Sequence, residues 1–390
     1  MRVLQVIPSF PPTKAFTGPP AAVYRLCVEL IALGVDVEVA TTNTDGNDKL
    51  VVPSDSWIEY KGVPVFYGNR WGWRGDISPS LYRCIQHRVP AVDLVHATAI
   101  FSWPLIRSAS ACKKCHVPLI VSPRGSLDRD ALLIHRTRKQ LFMALGGDGA
   151  LRGAKAFHVT SGMEKDHVLK LFPGAKTAVV PNGVDIPVSA TLEGWKGEKK
   201  KNYILYLGRL HPKKNLSTLL HAWSRITTQR GEAQLFVAGP DEGGVRRQLE
   251  ALCGRLGIEG YVRFLGWVEG ETRGRLLSQA KALVLPSITE NFGNVVVEGL
   301  AHGVPVVAST GTPWQGLIKN RCGWWVGADE SSLADAISEV LAMPECELSY
   351  MGRRGREWVA RDYAWPAVAA QMKELYEETI EMARVKYEDN

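Results

Sequence analysis

Two hydrophobic rhythms alternate along this chain. Short, nearly continuous apolar runs occur at Arg2–Pro8, Val35–Thr41, Val63–Phe66, Leu94–His96, Leu119–Ser122, Ala156–Thr160 and Thr177–Val180. Between them lie longer stretches whose apolar residues recur every three or four positions. The first pattern predicts strands covered on both faces, the second amphipathic helices. Ala21–Leu33 is such a helix, closed by Gly34 as its C-cap. After the turn Pro181-Asn182-Gly183-Val184-Asp185 and the polar, lysine-rich stretch Glu193–Lys201, the alternation restarts. Strands are expected at Tyr203–Leu207, Leu235–Ala238, Val262–Leu265, Ala282–Pro286 and Val304–Ala308. Helices are expected from about Leu216, over Asn294–His302 and near Ser332–Ala342. Two such series predict an α/β chain with two Rossmann-like, doubly wound domains. The expected boundaries are 1–185, 186–365 and a terminal helical segment 366–390, with the lysine-rich stretch as linker.

Composition narrows the class. A chain of 390 residues exceeds one ordinary core, and 45% hydrophobic with 22% charged residues is ordinary for a globular protein. No apolar run approaches the ~18 residues of a membrane span. Met1–Phe10, broken by Pro11-Pro12, reads as a first strand rather than a secretory signal, so a cytoplasmic location is expected. Seven scattered cysteines point to reduced thiols. Cys112-x-x-Cys115-His116 matches a haem-attachment pattern, yet with no second Cys-x-x-Cys it reads as the junction between a helix and the strand Val117–Val121. The net charge of +7 is uneven: residues 1–185 hold 22 Lys+Arg against 15 Asp+Glu, and residues 186–390 hold 25 against 25. A basic first half suits an anionic membrane surface or a nucleic acid.

The candidate chemistry gathers at strand ends. Lys281–Thr310 reads as a βαβ unit in which Glu290 stands before the helix and Glu298 about two turns into it, both able to face one crevice beyond the strands. Gly208-Arg209-Leu210-His211-Pro212-Lys213-Lys214-Asn215, a basic strand-to-helix turn, can grip a diphosphate with Arg209 and Lys214. Gly18 before the first helix leaves room for a phosphate or sugar. His96 is expected at a strand end on the crevice edge, with Arg124 of Ser122-Pro123-Arg124-Gly125 on the same rim. Asp128-Arg129-Asp130 is either a metal–diphosphate triplet or the opening of a helix. Asn69–Gly75, with Trp71 and Trp73 between Arg70 and Arg74, suits a membrane interface, a sugar rim or an inward-tucked loop. Arg136, Arg138 and Lys139 form a basic helix face.

PNGVD (181–185), GRLHPKKN (208–215) and ENFGNVVVEGLAHGVPVVAS (290–309) together resemble the retaining glycosyltransferases of family 4, over the full length of the chain. SPRGSLDRDAL (122–132) and Ala156–Glu164 look like the branch that builds bacterial surface polysaccharides. The resemblance implies the GT-B fold: two Rossmann-like domains facing a cleft, an acceptor-binding first and a nucleotide-sugar-binding second, with the segment from Trp365 crossing back to the first. It implies transfer of a hexose from a UDP- or GDP-sugar to a glycan or lipid-linked acceptor, without metal or other cofactor. Arg209 and Lys214 would hold the diphosphate, Glu298 the ribose, and Glu290 the donor sugar. The backbone at Phe292, Gly293 and Asn294 would touch sugar or phosphate, and Gly18 would lie under the diphosphate. Many members carry His-x-His where this chain has His96-Ala97-Thr98, so His96 is carried over alone as a catalytic candidate. An anionic membrane is a candidate partner, with docking on the inner face of the cell membrane; nucleic acid is not expected, since no RNA-reading motif appears. The alternatives are a nucleotide-sugar epimerase or hydrolase of the same fold, or an NAD-dependent oxidoreductase. The last is disfavoured by the missing Gly-x-Gly-x-x-Gly after the first strand.

Overall fold

The computed structural model describes residues 1–14, 18–72, 75–187 and 200–388, with side chains through residue 385. The chain forms two compact units, one of Met1–Gly183 with Trp365–Asn390 and one of Val184–Ala364. The first unit holds strands β1 (Arg2–Ser9), β2 (Asp36–Thr42), the small antiparallel pair β3 (Thr44–Asp45) and β4 (Asp48–Lys49), β5 (Trp57–Tyr60), β6 (Val63–Gly68), β7 (Leu94–Thr98), β8 (Leu119–Ser122), β9 (Ala156–Val159) and β10 (Thr177–Val179). Its sheet runs β10-β9-β8-β7-β1-β2-β6-β5, parallel except for the edge pair β5–β6. The second unit holds β11 (Tyr203–Leu207), β12 (Gln234–Ala238), β13 (Val262–Gly266), β14 (Ala282–Leu285), β15 (Val306–Ser309) and β16 (Gly323–Val326), ordered β13-β12-β11-β14-β15-β16 and parallel throughout.

The continuous apolar runs have a direct cause. In β11, Ile204 and Tyr206 join one core with Trp223, while Leu205 and Leu207 join the opposite core with Leu285 and Val296. A strand buried on both faces has no polar side, and each such aliphatic side chain contributes about 1.5–3 kcal/mol by leaving water. The final helix, Trp365–Glu388, packs Val368, Met372 and Tyr376 into the core that contains Val23, Leu26 and Leu30 of the helix Pro19–Ala32. Gly183 lies flat on the Trp365 ring, where any Cβ would overlap the indole.

A helix over Glu345–Asp362 has no counterpart among the elements expected from the sequence. Its buried stripe is Leu348, Gly352, Gly355 and Val359, and the two glycines read as breakers. They are contact points: a Cβ on Gly352 would overlap the Gly303 carbonyl, and one on Gly355 would crowd Leu300 at 2.6 Å. Of the expected linker, residues 193–199 lie outside the described residues; Lys200 is buried and donates to the Ser278 carbonyl at 2.8 Å.

His96 requires a correction. Strand β7 runs on through Thr98, so His96 lies inside it, wholly buried, rather than on a crevice edge. Its Nδ1 lies 2.7 Å from the Tyr376 hydroxyl and its Nε2 lies 2.8 Å from Ser122 Oγ, which itself lies 2.6 Å from His158 Nδ1. Gln5 donates to the Tyr376 hydroxyl at 2.7 Å. This chain of polar groups ties the final helix to β1, β7, β8 and β9. Burial, then the Arg124 charge, pushes His96 down to about 3 and also lowers His158. Both rings are therefore neutral in the fold. Because the unfolded histidines titrate near 6.5, the unfolded chain binds more protons below that pH, and stability should fall as pH drops from about 6.5 toward 3. Urea unfolding midpoints across this range check the slope, and His158→Gln should flatten it.

Candidate functional site

In the Val184–Ala364 unit the strand order reverses between β11 and β14, so the chain leaves their carboxyl ends in opposite directions and opens a crevice there. From β11 comes Gly208–Asn215; from β14 comes Ser287–Gly293. The two loops are joined by backbone, Ile288 N to the Lys213 carbonyl at 2.9 Å, and by an ion pair between Lys214 Nζ and Glu290 Oε1. Ser287 Oγ also donates to Glu290 Oε1, at 2.8 Å. Both charged side chains are mostly shielded, with 19% and 13% exposure. Asn215 takes a left-handed conformation (φ 58°) and donates to the Ala328 carbonyl at 2.9 Å, which pins the end of this basic loop. Burial first, and the Glu290 charge second, push the Tyr206 phenol well up, so it stays protonated and donates to the Arg209 carbonyl at 2.8 Å.

Gly293 (φ 82°) ends the second loop at the N-terminus of the helix Asn294–Ala301. Left-handed backbone there needs glycine, and a Cβ would also approach Leu285 at 3.0 Å. Phe292 is a core residue by its side chain, with its ring 5.2 Å from that of Trp314, whose Nε1 donates to the Phe292 carbonyl. The N-terminus of this helix follows the loop from the carboxyl end of β14, and its dipole suits an anion.

The other expected residues sit apart from the central pair. Arg209 extends over Glu242, Nη1 to Oε2 at 2.9 Å, and is well exposed. Glu298 pairs with Arg273 of the helix Gly270–Gln279. Neither Glu242 nor Arg273 stood out in the sequence, because no motif links them to their partners. Gly18, in the other unit, precedes the helix Pro19–Ala32 with φ −76°, and a Cβ there would meet none of the described residues within 4 Å. The fold does not demand a glycine at that point.

Several sequence candidates turn out to be architectural. Asp128 caps the helix Arg129–Leu133, accepting from Asp130 N at 2.8 Å and Ala131 N at 3.3 Å. Cys112 and Cys115 lie in the last turn of the helix Trp103–Cys115, with His116 as its left-handed cap, and burial pushes the Cys112 thiol up to about 12. All seven cysteines are unbridged. Arg70 is buried and donates to the Gly46 and Asn47 carbonyls, while Trp71 is exposed; Trp73 and Arg74 lie outside the described residues. Among the described residues no helix is long and apolar enough to cross a membrane.

Two family models match. The model for group 1 glycosyl transferases matches residues 191–358, and that for glycosyltransferase family 4 matches residues 17–187. An uncharacterized glycosyltransferase of Methanocaldococcus jannaschii is 32% identical over 56% of this chain and 58% of its own. A phosphatidyl-myo-inositol mannosyltransferase of Mycobacterium leprae is 32% identical over 52% of this chain and 54% of its own. The chain thus spans a little over half the length of these curated relatives. HepE of Anabaena, solved in complex with UDP, superposes with a TM-score of 0.73 over 97% of this chain and all of that one, at 20% identity. At that identity the likeness establishes the fold, GT-B.

Proposed function

Because the chain belongs to the family 4 glycosyltransferases, we propose that it transfers a hexose, with retention of configuration, from a UDP- or GDP-sugar to a glycan or lipid-linked acceptor in surface polysaccharide or lipopolysaccharide synthesis. The observation that carries this reading is the Lys214–Glu290 pair, which places a shielded cation and a carboxylate side by side at the switch point, next to a helix N-terminus. Lys214 and Arg209 bind the diphosphate. Both have carboxylate partners in the ligand-free chain, Glu290 and Glu242, that a bound diphosphate would share. Glu298 accepts from the ribose hydroxyls, with Arg273 setting its orientation. Glu290 and the backbone of Phe292, Gly293 and Asn294 hold the sugar.

In the step itself, the acceptor oxygen bonds to the anomeric carbon on the face the nucleotide leaves. The bond from that carbon to the diphosphate oxygen breaks, and the departing phosphate oxygen takes the acceptor's proton. Cations placed on the developing phosphate charge are the main stabilising element of such a step. It calls for no carboxylate nucleophile, and Lys214 and Arg209 take the place a metal would otherwise fill. The Met1–Gly183 unit is the proposed acceptor side, and its basic character suits docking on the anionic inner face of the cell membrane. Liposome flotation tests that docking: equal recovery in the soluble fraction with and without anionic lipid would exclude it.

Calorimetry of the full chain against UDP, GDP, ADP and NAD, with EDTA present, tests the donor assignment. One nucleoside diphosphate should bind, UDP being the first to try, and Glu298→Ala should weaken it by about tenfold or more. Binding of NAD alone, or of none by a folded sample, would overturn the proposal.

A further inference from the structure

The Met1–Gly183 unit contains a pocket of about 390 Å³ at its own switch point, between the carboxyl ends of β1 and β7. Ser9, Asp76, Thr98, Arg124, Ser126 and Arg138 bring hydroxyls, one carboxyl and two guanidinium groups to its lining. Arg124 is the unusual member. It stands after β8 in the left-handed region (φ 53°), uncommon for a residue with a Cβ and a mark of strained, functional positions. The turn is clamped by Glu164, whose Oε1 accepts from Gly125 N at 2.6 Å and whose Oε2 accepts from Thr160 N at 2.7 Å.

A structural arginine would close on a carboxylate. Arg124 does not: among the described residues it forms no ion pair, and Glu164, whose charge acts on it, is already engaged by backbone amides. Its Nη1 donates to Asn182 Oδ1 at 2.6 Å, and its buried Nε has no partner among the described residues. Burial pushes its pKa down, which expresses the cost of holding a cation there unpaired. Thr98, 2% exposed and on the same lining, likewise has a buried hydroxyl oxygen without a partner among the described residues. A shielded cation and an orphaned hydroxyl on one cavity wall are groups whose partner comes from outside the chain. Asp76, raised to about 6 by burial, accepts from Trp103 N at 3.1 Å and can accept from a further hydroxyl.

We propose that Arg124, with Arg138 at the rim, forms an anion subsite that holds the phosphate or carboxylate of an acidic sugar acceptor, whose hydroxyls meet Thr98 and Asp76. The word acceptor rests on the transferase reading; the binding site itself does not. Calorimetry of the full chain with glucose, glucuronate, glucose 6-phosphate and inorganic phosphate tests it. At least one of the two acidic sugars should bind measurably better than glucose, and the stronger of the two names the anion. Arg124→Gly suits the left-handed backbone and should fold, as its melting curve will check. It should weaken the acidic sugar by about tenfold or more, with Arg124→Lys intermediate and UDP affinity within twofold. Glucose binding as well as the acidic sugars, inorganic phosphate matching glucose 6-phosphate, or retained binding in Arg124→Gly would each overturn the subsite. An equal loss of UDP would assign Arg124 to the donor instead. Failure of the wild type to bind any nucleotide would remove the transferase reading while leaving the acidic-sugar result to stand or fall alone.

Discussion

Lys214→Met should lower kcat/KM for sugar transfer by about a hundredfold or more, with most of the loss in kcat. Methionine keeps the length and packing of the lysine stem but removes the charge proposed to meet the leaving diphosphate. Lys214 also neutralises Glu290, so the single variant leaves a shielded, negatively charged carboxylate that still accepts from Ser287 Oγ. A loss of activity could therefore come from the phosphate or from a displaced Glu290. The double variant Lys214→Met/Glu290→Gln separates the two causes, since it removes the unpaired charge. Activity should stay low in the double variant. Recovery there would mean that Lys214 serves only to hold Glu290, and a single variant within threefold of wild type would remove Lys214 from the mechanism.

Gly239→Ala should be the most damaging single-methyl change near this site. Gly239 follows β12 with φ 142°, backbone that side-chain-bearing residues avoid, and its added Cβ would overlap the carbonyl oxygen of Gly208. The obstacle is main chain, so no rotamer relieves it. The contact is braced by Gly208 N donating to the Ala238 carbonyl at 2.9 Å and Gly239 N donating to the Gly266 carbonyl at 2.7 Å. Strain and overpacking together should cost about 3 kcal/mol or more, read as a lowered urea midpoint, and should displace Arg209, the next residue after Gly208. Gly18→Ala is the informative contrast. With φ −76° and none of the described residues within 4 Å of an added Cβ, it should leave the urea midpoint nearly unchanged. A loss of transfer activity in Gly18→Ala would then report a ligand's approach rather than a folding defect. An unchanged midpoint in Gly239→Ala would refute the close-contact argument.

The strands, their parallel pairing and the two strand-end loops of the Val184–Ala364 unit follow from the sequence alone, because burial on both faces writes itself as an unbroken apolar run. GRLHPKKN and ENFGNVVVEG are recognisable for the same reason: each begins where such a run stops, at a carboxyl strand end. Local patterning reaches no further. It misplaces His96, since nothing in Leu94–Thr98 says that two more residues continue β7 or that Tyr376, far along the chain, awaits its ring. It passes over the helix Glu345–Asp362, since Gly352 and Gly355 look like breakers until the backbones they touch are known.

Partners are likewise invisible in one dimension. Lys214 meets Glu290 and Arg209 meets Glu242 because β11 lies between β14 and β12, and Glu298 meets Arg273 because the helices before and after β14 pack together. Even the charge changes its meaning. Counted along the chain, residues 1–185 hold all of the positive excess; in the fold, residues 365–390, with 3 Lys+Arg against 6 Asp+Glu, join that unit. The first unit then holds 25 against 20, and the second 22 against 20. Which faces are apolar is a local property, and the sequence by itself determined it. Which charges and polar groups stand together depends on strand order and on where the last helix docks, and only the tertiary structure decided that.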